Sequence, residues 1–428
     1  MDSIYALSSG PVPSGVAVIR LSGAKAGEAL RALAGALPEP RRAALRSLRR
    51  PGEAEVLDQG LVLWFPGPKS ETGEDMAELQ VHGSRAVVQA IFAVLEGQGL
   101  RLARPGEFIR RAFESGKLDL TAVEGLADLI AAETEVQRRQ AAGQAGGALA
   151  ARAEAWRGGL IELRAEIEAR LDFSDEGDVG EALPAGFDAR VAAMKAEMET
   201  AVAGVGAAER IREGFRVAIL GRPNAGKSSL LNALARRDVA IVTPEAGTTR
   251  DVLEVPLDIH GFPVVLFDTA GLREAGSAAE AEGVRRARRT AEAADLVLWL
   301  EDATLSPEPS PEVAGRPMWR IATKVDLTPN KAVGGISAVT GVGVGELVEC
   351  LGRAAADAMG AGNALVTRQR QREAIGEAIT ALAAAPGAAA EVKADLLRAA
   401  SEAIGRLSGR VDVEDVLDRL FREFCIGK

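Results

Sequence analysis

Cysteine is nearly absent. Cys350 and Cys425 are the two in 428 residues, and they lie far apart, so there is neither a disulfide framework nor a paired-cysteine zinc site. A reducing cytosol fits that usage. Long hydrophobic runs are missing too: none reaches the ~18 residues needed to cross a bilayer. The segment Met1-Asp-Ser-Ile-Tyr5 lacks the charged and apolar regions of an export signal. A soluble, cytoplasmic protein with no membrane association is expected. Aromatic residues make up only 4%, with a single tyrosine, while glycine (47) and alanine abound. Such a chain reads as helix-rich with aliphatic packing, although a compositional bias of the genome gives the same numbers.

Positive charge is in deficit. Lys plus Arg total 51 against 61 Asp plus Glu, a net charge of −10, so the overall field repels polyanions and any RNA contact requires a local patch or a partner. What is present is apolar content of 47% with 26% charged residues, enough to build real cores. The length makes about three domains the starting expectation.

The texture changes along the chain. Val16-Ala-Val-Ile-Arg20, Gly60-Leu-Val-Leu-Trp-Phe65 and Ala77-Glu-Leu-Gln-Val81 read as strands of an N-terminal α+β domain, residues 1–118. Thr121-Ala-Val-Glu124 has capping-box form, and Leu160, Leu163, Ile167 and Leu171 recur at helical spacing, so 119–212 reads as helical. Within 213–360, Arg216-Val-Ala-Ile-Leu220, Val264-Val-Leu-Phe267, Asp295-Leu-Val-Leu-Trp-Leu300 and Trp319-Arg-Ile-Ala322 alternate with helical stretches, the pattern of a mostly parallel, doubly wound sheet. Helical spacing returns over 361–428, with Ile375, Ile379 and Leu382, then Val413 to Phe424. The expected fold is therefore multidomain α/β plus α, with one helical domain interrupted by an inserted α/β domain; two separate helical units remain the alternative. The run Arg41, Arg42, Arg46, Arg49, Arg50 is the one dense basic segment, and such runs are more often solvated faces than nucleic-acid contacts.

Gly221-Arg-Pro-Asn-Ala-Gly226-Lys227-Ser228 follows a strand and precedes the helical run Ser229-Leu-Leu-Asn-Ala-Leu234. In that context G-x-x-x-x-G-K-S cradles phosphates: backbone N–H groups including those of Asn224, Ala225 and Gly226 approach the oxygens, Lys227 bridges the β- and γ-phosphates, and Ser228 ligates Mg²⁺, with Ser229 next in the helix. Asp268-Thr269-Ala270-Gly271 ends the next strand, where Asp268 reaches the metal shell and Gly271 offers an N–H to the γ-phosphate. Between them, Thr243-Pro244-Glu245-Ala246-Gly247-Thr248-Thr249 has the character of a switch segment, with the Thr249 hydroxyl closing on Mg²⁺. Thr323-Lys324-Val-Asp326 follows the last strand; a carboxylate there accepts from the two donors of guanine that adenine lacks, Lys324 covers the base, and Ser337-Ala338 supports its edge. Each tetrapeptide alone also fits an ordinary turn or cap. Ordered at strand ends within about 150 residues, they resemble the P-loop GTPase family, and GTP is the implied substrate.

Two departures matter. The family's usual Asn of N-K-x-D is Thr323, from which guanine selectivity through Asp326 with weaker loop anchoring is expected. Leu272 stands where Ras-like proteins carry the glutamine that orients water, so another group must do this. Asn224 with the Thr243–Thr248 segment offers oxygens for a monovalent cation, or Asn224 is simply a turn residue. Glu280 or Glu282 can orient water, or both are surface helix carboxylates.

The ending Phe424-Cys-Ile-Gly-Lys428, the D-T-A-G-L-R of the central segment, Ser70-Glu-Thr-Gly-Glu-Asp75 with His82-Gly83, and Ala103-Arg-Pro-Gly-Glu-Phe108 with Lys117-Leu-Asp-Leu120 together resemble the MnmE (TrmE) family of tRNA modification GTPases along the full length. The resemblance implies a tetrahydrofolate-binding and dimerising N-terminal domain, with folate contacts at Arg20, Glu78, Lys117 and Lys428 for a 5-formyl- or 5,10-methylene-tetrahydrofolate. It implies work with FAD-containing MnmG on C5 of the wobble uridine of certain tRNAs, adding a carboxymethylaminomethyl-type group. It also implies a homodimer and GTP hydrolysis activated by K⁺ bound at Asn224, Thr243, Glu245 and Thr248. Glu280 matches the water-orienting glutamate, with Glu282 as fallback because Ala278-Ala-Glu-Ala-Glu282 departs from the family pattern. Cys425 sits at the family's terminal cysteine, as nucleophile or packed thiol, and His82 matches a structural H-G pair. The competing class is a GTP-dependent RNA-binding assembly switch without carbon chemistry; a stand-alone folate-dependent aminomethyltransferase leaves the GTPase cassette unexplained.

Overall fold

The computed structural model describes residues 2–172, 183–237, 239–241, 253–268, 291–306, 315–328, 335–360, 362, 364–409, 417, 420–422 and 424–427. They form two compact units: Met1–Ala127 with Ala150–Gly158 and Glu402–Lys428, and Asp128–Leu149 with Gly159–Ser401.

The first unit is built on a sheet of β1 (Ile4–Leu7), β2 (Ser14–Ser22), β3 (Ala44–Arg49), β4 (Val56–Phe65), β5 (Met76–Gly83) and β6 (Arg101–Leu102), in the order β3-β4-β5-β2-β1-β6. All pairs are antiparallel except β1 with β6. The three runs that alternate in the sequence lie in β2, β4 and β5. Strand periodicity sorts their side chains: Ala17, Ile19 and Leu21 of β2 and Ala77, Leu79 and Val81 of β5 point into one core, while Arg20 and Glu78 fall on the opposite face. Helices α1 (Ala26–Ala34) and α2 (Arg85–Gly97) cover the core face with Leu30, Leu33, Val88, Ile91 and Leu95. Gly27 lets α1 approach Trp64, because a Cβ there would lie 2.8 Å from the indole ring. On the same unit, α3 (Glu107–Glu114) and α4 (Leu120–Ala131) pack Ile109, Leu120 and Val123 against Leu420, Phe421 and Phe424 from the far end of the chain.

The cap of α4 differs from the capping box read in the sequence. Asp119 accepts from the backbone N–H groups of Thr121 (2.8 Å) and Ala122 (3.1 Å), and the Thr121 hydroxyl donates to the same carboxylate at 2.6 Å. An ionised carboxylate satisfies first-turn donors better than a hydroxyl does, so the start moves two residues upstream.

In the second unit, α5 (Glu135–Ala145), the part of α6 (Ala148–Asp172) from Gly159 onward, α7 (Phe187–Ala203) and α8 (Val205–Glu213) precede the second sheet. Leu160, Leu163 and Ile167 of α6 are buried at the spacing expected for a helix. The sheet contains β7 (Phe215–Gly221), β8 (Leu253–Ile259), β9 (Phe262–Asp268), β10 (Leu296–Asp302) and β11 (Met318–Thr323), ordered β11-β10-β7-β9-β8. Only the β8–β9 hairpin is antiparallel among these pairings. Helix α9 (Lys227–Ala235) follows β7, and α10 (Val344–Met359) follows β11. Both pack on the sheet through Leu230, Leu234, Leu347, Leu351 and Ala355, giving an α/β layer of the kind that binds ligands at the carboxyl ends of its strands. Helices α11 (Gln369–Ala384) and α12 (Ala390–Leu407) follow, and α11 packs on α7. No described helix is long and apolar enough to cross a membrane.

Candidate functional site

The carboxyl ends of β7, β9, β10 and β11 share one edge. Ile219 of β7 is level with Asp268 of β9, and Asp302 of β10 with Thr323 of β11. Between β7 and α9 runs the loop Gly221–Gly226. Asn224 takes a left-handed φ of 64° and Gly226 one of 91°. These turns aim successive N–H groups inward ahead of the helix N-terminus, the arrangement that binds phosphate. Gly221 has no substitute: a Cβ there would lie 2.6 Å from the Leu300 carbonyl oxygen on the neighbouring strand.

Lys227 opens α9 and is buried, its Nζ donating to the carbonyls of Gly221 (2.9 Å) and Arg222 (2.8 Å). The ammonium therefore sits within the ring of the loop. Ala225 is buried, whereas Asn224, Ser228 and Ser229 are exposed at the mouth. The Ser228 hydroxyl in the first turn is a hard oxygen donor, the ligand type that suits Mg²⁺. No group of three His, Cys, Asp or Glu side chains able to hold a metal occurs among the described residues.

The second half of the site is welded to the first. The Thr323 side chain is 4% exposed, and its Oγ1 donates to the Ala225 carbonyl at 2.8 Å and lies 3.1 Å from the Glu301 carbonyl. Loop anchoring, expected to be weaker with Thr in place of Asn, is carried by this hydroxyl. Lys324 adopts φ 59° and its Nζ lies 2.6 Å from Asp302 Oδ2. That ammonium, with the Thr304 hydroxyl, holds the Asp302 carboxyl at a pKa of about 2. Asp326 is exposed. Ser337 and Ala338 are brought alongside by pairing of Ile336 N with Ala322 O at 2.7 Å and of Val325 N with Ile336 O at 3.4 Å. Ser337 is buried and accepts from Thr340 N at 3.1 Å. Asp302 went unread in the sequence, although it ends an apolar strand at the edge where ligands bind.

The backbone of Asp268 ends β9, but its side chain lies outside the description. Thr243, Pro244, Glu245, Ala246, Gly247, Thr248, Thr249, Thr269, Ala270, Gly271, Glu280, Glu282 and Lys428 also lie outside the described residues.

In the first unit, Arg20 and Glu78 are directly opposed on β2 and β5, with Arg20 Nε donating to Glu78 Oε1 at 2.9 Å. Arg20 also lies 3.2 Å from Glu71. Glu71 belongs to the loop Ser70–Asp75, which is held from behind by Ser22 bonding Thr72 (2.7 Å) and Glu74 (2.8 Å), and by Arg111 donating to Glu74 (2.8 Å). Lys117 is exposed and lays its Cε 3.6 Å from where a Cβ on Gly73 would sit. The loop thus meets Arg20 through Glu71, and Lys117 lies near its Gly73. The terminal segment is also tied to this unit: Ser8 donates to the Gly427 carbonyl at 2.9 Å and its own N–H to Val18 O at 2.7 Å, two residues from Arg20. Cys425 is exposed. His82 is exposed, with Nδ1 2.8 Å from Asp58 Oδ1, a contact within the sheet edge.

The GTP-binding protein TrmE N-terminus family model matches residues 3–117 and the MnmE helical domain model residues 120–425. Together with the geometry, this decides the family. The chain belongs to the MnmE family of GTPases. A protein of Rhodopseudomonas palustris named tRNA modification GTPase MnmE is 51% identical over 439 residues, covering 100% of this chain and 99% of its own length. One of Azorhizobium caulinodans with the same name is 52% identical over 434 residues, with the same coverage of both. Among solved structures, the G domain of the T. maritima FeoB iron transporter overlays 31% of this chain and 94% of its own, at 24% identity and a TM-score of 0.23. As a member of the MnmE family, the chain is a GTP hydrolase.

Proposed function

We propose that GTP hydrolysis by this protein serves tRNA modification: together with MnmG, it adds a carboxymethylaminomethyl-type group to C5 of the wobble uridine, using a one-carbon unit from tetrahydrofolate. The observation carrying the folate part is the Arg20–Glu78 pair at 2.9 Å on the sheet face away from the core, with Arg20 also 3.2 Å from Glu71 of the loop whose Gly73 lies near Lys117. A carboxylate suits the N–H donors of a pterin, and arginine and lysine suit glutamyl carboxylates. Lys428 is the fourth contact of that reading. Here Cys425 lies beside the one-carbon carrier.

The same reading makes hydrolysis K⁺-activated, with Asn224 and Thr243, Glu245 and Thr248 around the cation, Mg²⁺ on Ser228 and Thr249, and Glu280 orienting water. It divides the chain into 1–118, 119–212, 213–360 and 361–428 and places its work in the cytoplasm. Homodimerisation is supported by apolar side chains in the first unit: Val16 is 58% exposed, and Leu45 and Leu61, opposed on β3 and β4, are 60% and 40% exposed.

Calorimetry with 5-formyltetrahydrofolate tests the folate site. Binding heat is expected for the intact protein and is lost in Arg20→Ala; no heat from the intact protein sinks the folate reading. Turnover is expected to rise steeply when Na⁺ is exchanged for K⁺, and equal rates remove the cation role of Asn224. Mass spectrometry of wobble nucleosides from cells lacking this chain should show loss of the modified uridine; an unchanged profile excludes the tRNA reaction.

A further inference from the structure

We propose that a cleft in the first unit, about 640 Å³ and walled by the loop Arg104–Gly106, α3 and residues 421–422, holds phosphodiester groups of the RNA substrate. This rests on the tRNA reading above and names the surface that carries it.

The cleft has two charge layers. At its base, Glu107 is gripped by Arg101 (2.8 Å), Arg111 (3.0 Å) and the Arg104 backbone N–H (2.8 Å), and Asp2 by Arg111 (2.9 Å) and Arg101. Arg111 is 5% exposed and spends its donors on these partners and Glu74. Glu114 is taken by Arg110 Nε at 2.9 Å. The carboxylates of the cleft are thereby matched from within. Arg104 and Arg422, which also line it, are exposed and have no side-chain hydrogen bond or ion pair among the described residues. Two guanidinium groups are left over at the mouth, each a planar fork of donors shaped for phosphate. On a chain of net charge −10, this is the local positive feature an RNA contact requires.

The cleft's other features favour RNA over a small anion. Inside, Arg101 and Arg111 are already spent on Asp2 and Glu107, and Arg110 on Glu114, so no unspent cation awaits a compact dianion such as the glutamyl tail of a folate. A strand crossing the mouth sets its phosphodiester groups against Arg104 and Arg422. Arg110 lies over the Phe421 ring at 5.9 Å with its side chain half exposed, presenting a backed planar cation on which an unstacked base rests. The wall carrying Arg104 is also where the chain terminus is fastened: Gly106 N approaches Cys425 O at 3.5 Å, and Pro105 bridges Ile426. RNA held here lies beside the segment bearing Cys425.

The test uses the full-length protein and a labelled anticodon stem-loop with an unmodified wobble uridine, followed by anisotropy across a KCl series. The Arg104→Gln/Arg422→Gln double variant is expected to bind about tenfold or more weakly and to lower the slope of log K against log salt by roughly 1.4–1.8, the release from two phosphates. Lys at both positions should restore the slope but only part of the affinity. GTP turnover and the heat of 5-formyltetrahydrofolate binding should match wild type, since neither arginine's side chain holds a bond among the described residues. Unchanged RNA affinity and slope in the double variant overturn the cleft while leaving the tRNA reading intact. Loss of folate heat instead reassigns the cleft to the small molecule and overturns the proposal. Wild-type protein that binds no RNA removes both readings.

Discussion

Replacing Thr323 by Val tests whether the base loop and the phosphate loop act as one piece. The two side chains are nearly equal in volume, so packing at this buried position is kept while the hydroxyl is removed. That hydroxyl has one proton, given to Ala225 O at 2.8 Å, with Glu301 O at 3.1 Å as a weaker claimant. A net hydrogen bond is worth about 0.5–1.5 kcal/mol, and a buried carbonyl left without a donor costs about 1–3 kcal/mol. The expected loss is therefore about 1–3 kcal/mol. Part of it appears as lower stability, about 2–4 °C in Tm per kcal/mol for a segment of this size. The part that falls on the assembled site raises the GDP dissociation constant about tenfold for each 1.4 kcal/mol. Equilibrium titration of a fluorescent GDP analogue reads the second part and differential scanning calorimetry the first. Thr323→Ser keeps the donor and should stay near wild type. A Val variant with unchanged Tm and affinity within about twofold, or a Ser variant that loses as much as Val, refutes the tether.

Lys227→Ala should abolish GTP hydrolysis in a phosphate-release assay, because it removes the ammonium held at the loop carbonyls of Gly221 and Arg222; wild-type turnover by that variant refutes the assignment. Gly221→Ala forces a methyl to 2.6 Å from the Leu300 carbonyl, a backbone group that cannot turn aside, and should destabilise the protein by about 1–3 kcal/mol by denaturant titration; a midpoint equal to wild type contradicts the geometry. Burial raises the Glu107 pKa, but hydrogen bonds from Arg101, the Arg104 N–H and Arg111 outweigh it and hold the carboxyl at about 2 instead of 4.5. Its folded pKa is depressed, so its stabilisation is full above about pH 4.5 and lost as pH falls through about 2. The acid branch of the Tm profile should flatten in Glu107→Gln, and parallel wild-type and variant profiles count against the network.

Elements whose signal is local were legible in the sequence. The apolar runs around Val16, Leu61, Leu79, Val217 and Leu298 lie in strands because alternation or an unbroken apolar stretch specifies a pleated, buried segment without reference to the rest of the chain. The nucleotide motifs were readable for the same reason: phosphate binding needs consecutive backbone groups, so its residues are neighbours in sequence and announce themselves by spacing. Even so, the start of α4 was misread, since Thr121 and Glu124 have cap form while Asp119 holds the better charge. Other pairings required the folded chain. Arg20 meets Glu78 across 58 residues only because β2 and β5 pair in one register, and a slip of one residue would turn one of them into the core. Thr323 reaches Ala225 across 98 residues through parallel strand ends. Among the described residues, the Arg104 and Arg422 side chains have no bonding partner while Arg101 and Arg111 are saturated, a distinction among identical residue types set by which carboxylates the packing of α3, β6 and the chain ends brings within bonding distance. Local propensity and backbone chemistry are written in order along the chain, whereas the partner of a long side chain is decided by tertiary register and burial.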